Sequence, residues 1–194
     1  MDLETLLLKE RLAAFVRLKG GYPIRLAGAV YWLGLAALGW FVDGKQWVFW
    51  AFVTSGAIFP LALLFASLTR INFMKDKTAV DSVLFPALAS MFLFWPIAIA
   101  AFWDEVDIAP LALAIGMSIH WPVIGWSYGK TAIYTGHAFA RAIAVFAIWI
   151  LLPDQRYTTL PLAVAIVYLL TVAVILVEAA RLSKQHDAAG TDAL

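Results

Sequence analysis

The stretch Gly116–Arg141 reads G-M-S-I-H-W-P-V-I-G-W-S-Y-G-K-T-A-I-Y-T-G-H-A-F-A-R and is typical of two membrane helices joined by a very short turn. His120 precedes the turn, and His137 and Arg141 follow it. Nowhere else does the chain place ionisable groups so deep in apolar sequence. We therefore treat this hairpin as the element around which the other helices are arranged.

The composition predicts a membrane protein. Of its 194 residues, 63% are hydrophobic and 14% are charged, whereas an ordinary soluble domain is about 45–50% apolar and about 25% charged. A soluble fold of this size could not bury so much apolar surface. The formal net charge of +1 gives no basic field that would attract nucleic acid. Since cysteine is absent, the sequence also excludes disulfides, thiolate chemistry and cysteine-ligated metal centres.

Six apolar runs have the length of transmembrane helices, about 20 residues each. Only short breaks separate them, so the sequence leaves no room for an extramembrane domain. The predicted fold class is therefore all-α, a polytopic bundle of six transmembrane helices. The predicted spans are Pro23–Val42, Gln46–Thr69, Val80–Trp103, Ile108–Tyr128, Thr131–Leu152 and Tyr157–Leu182.

The first 20 residues predict an amphipathic helix, because leucines recur at helical spacing between charged residues until Gly20-Gly21 ends the pattern. This segment lacks the uninterrupted apolar core and the cleavage site of a secretory signal. A basic amphipathic helix suits the anionic cytoplasmic face of a membrane, although a lid or a partner-binding helix would have the same pattern. The predicted domains are a cytoplasmic amphipathic helix over 1–20, a transmembrane domain over 21–182 and a polar cytoplasmic tail over 183–194.

The distribution of lysine and arginine predicts the orientation, because positive charge near helix ends is retained in the cytoplasm. Lys45 and Arg156 fall on one side, and Arg141 lies inside a helix. Both termini are therefore predicted to be cytoplasmic. The eleven basic residues on the predicted cytoplasmic side are Lys9, Arg11, Arg17, Lys19, Arg25, Arg70, Lys75, Lys77, Lys130, Arg181 and Lys184.

Helix geometry predicts that the polar residues of the hairpin converge at one depth. At 1.5 Å per residue, His137 lies about 10 Å and Arg141 about 16 Å from the cytoplasmic turn, and His120 lies about 13 Å from it on the preceding helix. Tyr134, His137 and Arg141 share one helical face because their spacing is i, i+3, i+7. The sequence thus predicts a cytoplasmic-side cavity lined by these four residues. Its mouth would contain Tyr128, Glu178 and Asp81.

A structural interpretation of the same residues remains open. A charge at the bilayer centre costs about 2.5–3.5 kcal/mol on insertion scales, so it normally faces the bundle interior with a partner. Arg141 could pair with Asp81, with Glu178 or with backbone carbonyls freed by a proline, purely to fix the packing. A membrane histidine can likewise serve only an interhelical hydrogen bond. Two histidines without a third ligand do not fit a catalytic zinc site, and we expect no metal and no other cofactor.

Two motifs resemble a known family. They are Phe59-Pro60-Leu61-Ala62 and the pattern Gly116-x-x-x-His120-Trp121-Pro122-x-x-Gly125-Trp126-x-Tyr128. Both are similar to those of a family of small bacterial membrane proteins that is known only as a domain of unknown function. The likeness covers roughly residues 17 to 152. It implies a multi-helix protein of the bacterial inner membrane, and it implies no activity.

Three functions fit these patterns. The leading hypothesis is binding or transport of a small solute or lipid through the His/Arg cavity, with membrane lipids and a small or anionic molecule as partners. A membrane enzyme that uses histidine as acid and base on a lipid is the first alternative. The second is a scaffold subunit without a ligand, and in each case the chain could form a homo-oligomer.

Overall fold

The computed structural model describes residues 2–71 and 75–191, with side chains through Gln185. Within those ranges the chain is all-helical, as predicted, with ten α-helices and no β-strand. Short 3-10 turns at Lys19–Gly21, Asp81–Val83, Phe92–Phe94, Val106–Ile108 and Pro153–Gln155 connect or extend several of them. The helices are α1 Leu3–Arg17, α2 Tyr22–Leu38, α3 Gly44–Ser55, α4 Ile58–Leu68, α5 Leu84–Met91, α6 Trp95–Trp103, α7 Ala109–Gly116, α8 Trp121–Ser127, α9 Thr131–Leu151 and α10 Thr159–Thr191.

Four helical stretches are long and apolar enough to cross a membrane, and a bent pair brings the total to five in the described part of the chain. The bent pair is α3 with α4, which meet at an angle of 51°. The first of the six predicted spans falls short, because α2 has 17 residues and is therefore about 25 Å long, less than a hydrocarbon core of about 30 Å. The chain is thus compatible with an integral membrane protein. The four stretches are Asp81–Trp103, Val106–Ser127, Thr131–Leu151 and Thr159–Gln185.

A sharp glycine turn directs α2 into the centre of the bundle. Gly20 and Gly21 have φ values of +57° and +63°, the left-handed region that a residue with a Cβ rarely adopts. Pro23 then starts α2, where its missing N–H costs nothing. The turn allows α2 to pack along α10 and α4 and to bury Trp32 completely.

Helix α1 lies across one end of this bundle. The Asp2 carboxylate accepts a hydrogen bond from the Thr5 backbone N–H (2.8 Å) and caps the helix. Farther along α1, Phe15 is fully buried. Two contacts join α1 to the segment before α5, namely the Arg17–Asp76 ion pair (3.0 Å) and a hydrogen bond from the Ala79 backbone N–H to the Glu10 carboxylate (2.9 Å).

A polar cluster closes the opposite end of the bundle. Asp107, in the turn before α7, accepts hydrogen bonds from Arg156 (3.0 Å) and from the Tyr157 hydroxyl (2.5 Å). Its backbone carbonyl also accepts a hydrogen bond from the Trp149 indole (2.8 Å). Burial and the hydrogen bond to the carboxylate raise the pKa of the Tyr157 hydroxyl, which keeps it protonated as a donor. These contacts join the α6–α7 connection to the α9–α10 connection.

The last helix continues beyond the end of the sixth predicted span. The sequence predicts a polar tail over residues 183–194, whereas α10 extends through Thr191. Residues 192–194 lie outside the described residues, as do the side chains from His186 onward.

Replacing Gly39 by Ala tests the packing at the end of α2. A Cβ at Gly39 would lie 2.1 Å from the backbone oxygen of Tyr157, so the backbone itself would have to move. We expect the free energy of unfolding to fall by about 1–3 kcal/mol, measured by equilibrium unfolding in mixed micelles.

Gly34→Ala is the matched control, because a Cβ at Gly34 meets no atom within 4 Å. Since alanine favours a helix interior over glycine by about 1 kcal/mol, this variant should be at least as stable as the original protein. Equal destabilisation by the two substitutions would contradict the packing described here.

Candidate functional site

A break in the fourth predicted span places two aromatic rings in the interior. Helix α7 ends at Gly116 and α8 begins at Trp121. Between them the backbone turns tightly: the N–H of Ser118 donates to the carbonyl of Ile115, and the N–H of Trp121 donates to the carbonyl of Ser118. These i→i−3 hydrogen bonds form a short 3-10-type turn inside one continuous apolar stretch, Val106–Ser127. His120 and Trp121 are both buried at this break.

Arg25 carries the first of two buried guanidinium groups in the interior, and its burial was not predicted from the sequence. Only 2% of its surface is exposed. Its guanidinium lies over the rings of Trp121 (4.4 Å) and Tyr134 (4.1 Å). Nη1 donates hydrogen bonds to the carbonyl oxygens of Gly20 (2.7 Å) and Gly21 (3.1 Å), whereas Nη2 has no partner among the described residues. The sequence contains one indication of this burial, because Arg25 lies two residues inside the first predicted span. The count of basic residues used to predict the orientation treats it as a residue that flanks the span.

The second guanidinium, that of Arg141, is sealed in the bundle with an exposed fraction of 0%. Nη1 donates a hydrogen bond to the Tyr168 hydroxyl (2.9 Å), and the group lies 5.1 Å from the ring centroids of Trp32 and Tyr168. Nε and Nη2 have no hydrogen-bond partner within residues 2–71 and 75–191. The carboxylates that the sequence offered as partners, Asp81 and Glu178, bond to other groups.

His137 is oriented by a short hydrogen-bond chain. Its Nδ1 lies 2.8 Å from the hydroxyl oxygen of Thr171, and that hydroxyl donates its only proton to the carbonyl of Val167 (2.7 Å). With the Thr171 proton directed to Val167, Nδ1 carries the imidazole proton and donates to the Thr171 oxygen. The lone pair of Nε2 is left buried and without a partner in the described part of the chain. Tyr134, His137 and Arg141 are all buried on α9, as their shared helical face predicts.

The indole of Trp121 separates the two histidines. Its ring lies 4.5 Å from the His120 ring and 5.7 Å from the His137 ring, between centroids. The Tyr168 ring is also 4.7 Å from His137. Trp121 thus contacts both imidazoles, and aromatic rings pack against His137.

Two cavities adjoin this cluster instead, each with a volume of about 370 Å³. The first, which we call the polar cavity, lies between α2, α8 and the segment before α5. The second, the apolar cavity, lies between α2, α4 and α5 and reaches the start of α8. Ile24, Phe59, Leu88, His120 and Trp121 line both, so the cavities share a wall. The charged and polar residues that line the polar cavity include Arg25, Asp76, Lys77, Thr78, Asp81, His120, Ser127 and Tyr128. The apolar cavity is lined by Phe59, Met91, Phe92, Phe94, Trp95 and Met117, among others.

The seven residues that the sequence placed at one cavity fall into three groups. His120, Asp81 and Tyr128 line the polar cavity. Tyr134, His137 and Arg141 lie in the packed cluster beside it. Glu178 is in neither place.

Two of these residues hold local structure. The Asp81 carboxylate accepts hydrogen bonds from the backbone N–H (2.9 Å) and the hydroxyl (2.7 Å) of Thr78. The Glu178 carboxylate pairs with Lys130 at 2.6 Å and with Arg181 at 3.6 Å. Both interactions lie at the end of the bundle covered by α1.

The arrangement offers donors for an anion. No group of three histidine, aspartate or glutamate residues that could hold a metal ion occurs among the residues searched. In the wall of the polar cavity, by contrast, the Arg25 guanidinium retains an unused Nη2 donor. Guanidinium groups bind carboxylate and phosphate by paired hydrogen bonds, so the chemistry of this site is that of anion recognition.

Comparison with known proteins gives one match. The model of a family of unknown function, DUF7010, matches residues 7–178, in agreement with the resemblance noted from the sequence. Searches of curated proteins and of solved structures find no significant match to this chain.

Replacing Tyr168 by Phe tests the hydrogen bond that anchors Arg141. The substitution keeps the ring but removes the hydroxyl that accepts from Nη1, and hydrogen bonds to charged groups contribute about 1.5–3 kcal/mol. We expect the free energy of unfolding in mixed micelles to fall by about that amount.

The same substitution in an Arg141→Met background should cost far less, because the guanidinium that needed the hydroxyl is gone. An equal cost in both backgrounds would show that Tyr168 and Arg141 are not coupled.

Proposed function

We propose that this chain, which belongs to the DUF7010 family, is a membrane protein that binds a small anionic group, carboxylate or phosphate, in the polar cavity. The observation that carries the proposal is the buried Arg25 guanidinium in the cavity wall, whose Nη2 lacks a partner among the described residues. A buried cation without a counter-ion is costly. An anionic ligand would remove that cost, which gives the ligand its affinity.

The charges around the polar cavity favour an anion. Lys77 adds a second positive charge at the surface end of the cavity. Asp76 is paired with Arg17, which leaves the Asp81 carboxylate as the one negative charge that opposes Arg25 and Lys77 among the described residues lining this cavity. Nearby positive charge therefore exceeds the negative charge that is free to oppose it.

The shape of the polar cavity supports access from one side. Lys77 is exposed, so the cavity reaches the protein surface at the segment before α5. At its inner end the cavity meets His120 and Trp121. Ala14 and Leu18 also contribute to the wall, so a movement of α1 would widen the entrance. Such a geometry suits binding, or the first step of transport, from the side where α1 lies.

The proposed setting is the bacterial inner membrane, with six spans and both termini in the cytoplasm. Here α2 is counted as a short span, supported by its exposed apolar residues Val30 and Leu33. The excess of lysine and arginine at the α1 end supports the orientation, and it persists when the buried Arg25 is left out of the count. Helix α1 would then lie at the membrane surface, where the 82% exposed side chain of Leu3 could enter the lipid.

Charge substitutions at the polar cavity test the function. Lys77→Gln should weaken binding of inorganic phosphate or acetate about two- to five-fold, because it removes an attractive charge at an exposed site. Asp81→Asn should strengthen it by a similar factor, because it removes a repulsive charge. Both can be measured by calorimetric titration of the protein in nanodiscs at constant ionic strength.

Lys184→Gln and Glu105→Gln are the controls, because both side chains are exposed and lie outside the cavity. Reversal of the two effects, with Lys77→Gln strengthening and Asp81→Asn weakening the binding of phosphate or acetate, would contradict the assignment of this cavity to an anion. Absence of any anion binding by the original protein would refute the proposal and favour a scaffold role, whereas turnover of a labelled phospholipid would favour an enzyme.

Single cysteines test the proposed topology, since the natural chain has none. Ala79→Cys and Gln185→Cys should be protected from a membrane-impermeant maleimide in intact cells. Gln46→Cys and Gln155→Cys should react with it. All four positions are exposed and uncharged, so the substitutions leave the charge distribution unaltered, and labelling of either of the first pair in intact cells would contradict the orientation.

A further inference from the structure

The apolar cavity has the chemistry of a site for a hydrocarbon chain. Its wall includes Phe59, Phe92, Phe94 and Trp95, with Met91 and Met117 between them. Apart from His120, Ser55, the Tyr168 hydroxyl and the indole N–H groups of Trp95 and Trp121, its lining side chains carry no nitrogen or oxygen. A volume of about 370 Å³ lies within the usual range for a single small ligand.

This cavity also has an opening toward the surrounding membrane. Phe59 on α4 and Phe92 just after α5 both line it, and they are 53% and 59% exposed. A molecule that diffuses in the bilayer could therefore enter between α4 and α5 without crossing the polar end of the protein. Direct lateral entry suits a lipid-like molecule more than a solute dissolved in water.

The two cavities share a wall at the place where the polar head of an amphiphile would join its alkyl chain. His120 and Trp121 line both of them, together with Ile24, Phe59 and Leu88. On one side of this shared wall lies the Arg25 guanidinium, and on the other side lie the aromatic and methionine side chains. From the polar cavity to the apolar cavity the lining side chains change from charged to apolar, as an amphiphile changes from its anionic head to its alkyl chain.

We infer that the two cavities together bind one single-chain amphiphile, with its carboxylate or phosphate head at Arg25 and its alkyl chain between α2, α4 and α5. This assignment rests on the proposed function and specifies its ligand class. The head satisfies the guanidinium, and the chain fills the apolar cavity. A ligand with two chains would exceed the volume of the apolar cavity and leave one chain in the lateral opening.

Gly56 offers a way to block the chain without touching the head. It lines the apolar cavity, and a Cβ placed there meets no atom within 4 Å. Gly34 is the matched control: a Cβ there also meets no atom within 4 Å, but Gly34 lines a different groove, between α2 and the α3–α4 pair. Tryptophan at either position adds the same side chain, and only the one at residue 56 occupies the proposed path of the alkyl chain.

The experiment compares hexadecyl phosphate with butyl phosphate on the full chain in nanodiscs. The original protein should bind hexadecyl phosphate at least about tenfold more tightly, which corresponds to about 1.4 kcal/mol. Gly56→Trp should abolish that preference and leave butyl phosphate binding unchanged, whereas Gly34→Trp and Gly56→Ala should preserve it. A hexadecyl phosphate with a photoactivatable diazirine in its chain should label the segment from Met91 to Trp95 or Met117.

The possible outcomes distinguish failure of the amphiphile assignment from failure of the proposed anion binding on which it rests. Equal binding of the two phosphates by the original protein, or labelling confined to other segments, would leave anion binding intact and overturn the amphiphile assignment. Tighter binding of two-chain phosphatidate than of hexadecyl phosphate would overturn the single-chain assignment. If neither phosphate binds, the proposed function itself fails.

Discussion

The Arg25 guanidinium is the contact on which the interior of the protein depends. Through Nη1 it donates to the carbonyl oxygens of Gly20 and Gly21, and it lies over the rings of Trp121 and Tyr134. A single side chain thus links the turn before α2 to α8 and α9. In an apolar interior these hydrogen bonds and cation–π contacts are strong, because water does not compete for the charge.

The two buried arginines differ in what surrounds them. Arg141 is enclosed by Trp32 and Tyr168 and has no surface on either cavity. Arg25 forms part of the polar cavity wall. Removal of a charge from water is costly at both positions, and Arg25 is the one of the two that lines a cavity where a ligand could offset that cost. In the proposed function, Arg25 therefore contacts the ligand, whereas Arg141 packs within the bundle together with His137, whose Nδ1 lies 2.8 Å from the Thr171 hydroxyl.

The hydrophobic periodicity of the sequence predicted most of the helices. It did not predict features that depend on the direction in which individual side chains point around a helix axis. The apolar runs gave most of the helices, and the i, i+3, i+7 spacing gave the buried face of α9. Depth along an axis also placed His120 and His137 near each other, but depth does not show that Trp121 lies between their rings. Burial of Arg25 was missed for the same reason, since a count of charges at helix ends ignores the direction in which each side chain points. The break between Gly116 and Trp121 lies within an apolar run, where hydropathy does not change although the backbone turns.

The position of His120 and Trp121 explains why a single amphiphile accounts for the interior better than two separate ligands. A small anion alone would satisfy Arg25 and leave the apolar cavity, with its opening at Phe59 and Phe92, without an occupant. An uncharged hydrocarbon would fill that cavity and leave the Nη2 donor of Arg25 unmatched. Because the shared wall brings the two environments into contact, one molecule with a charged end and an apolar end satisfies both. The head then fixes the register of the ligand, and the volume of the apolar cavity limits the length of its chain.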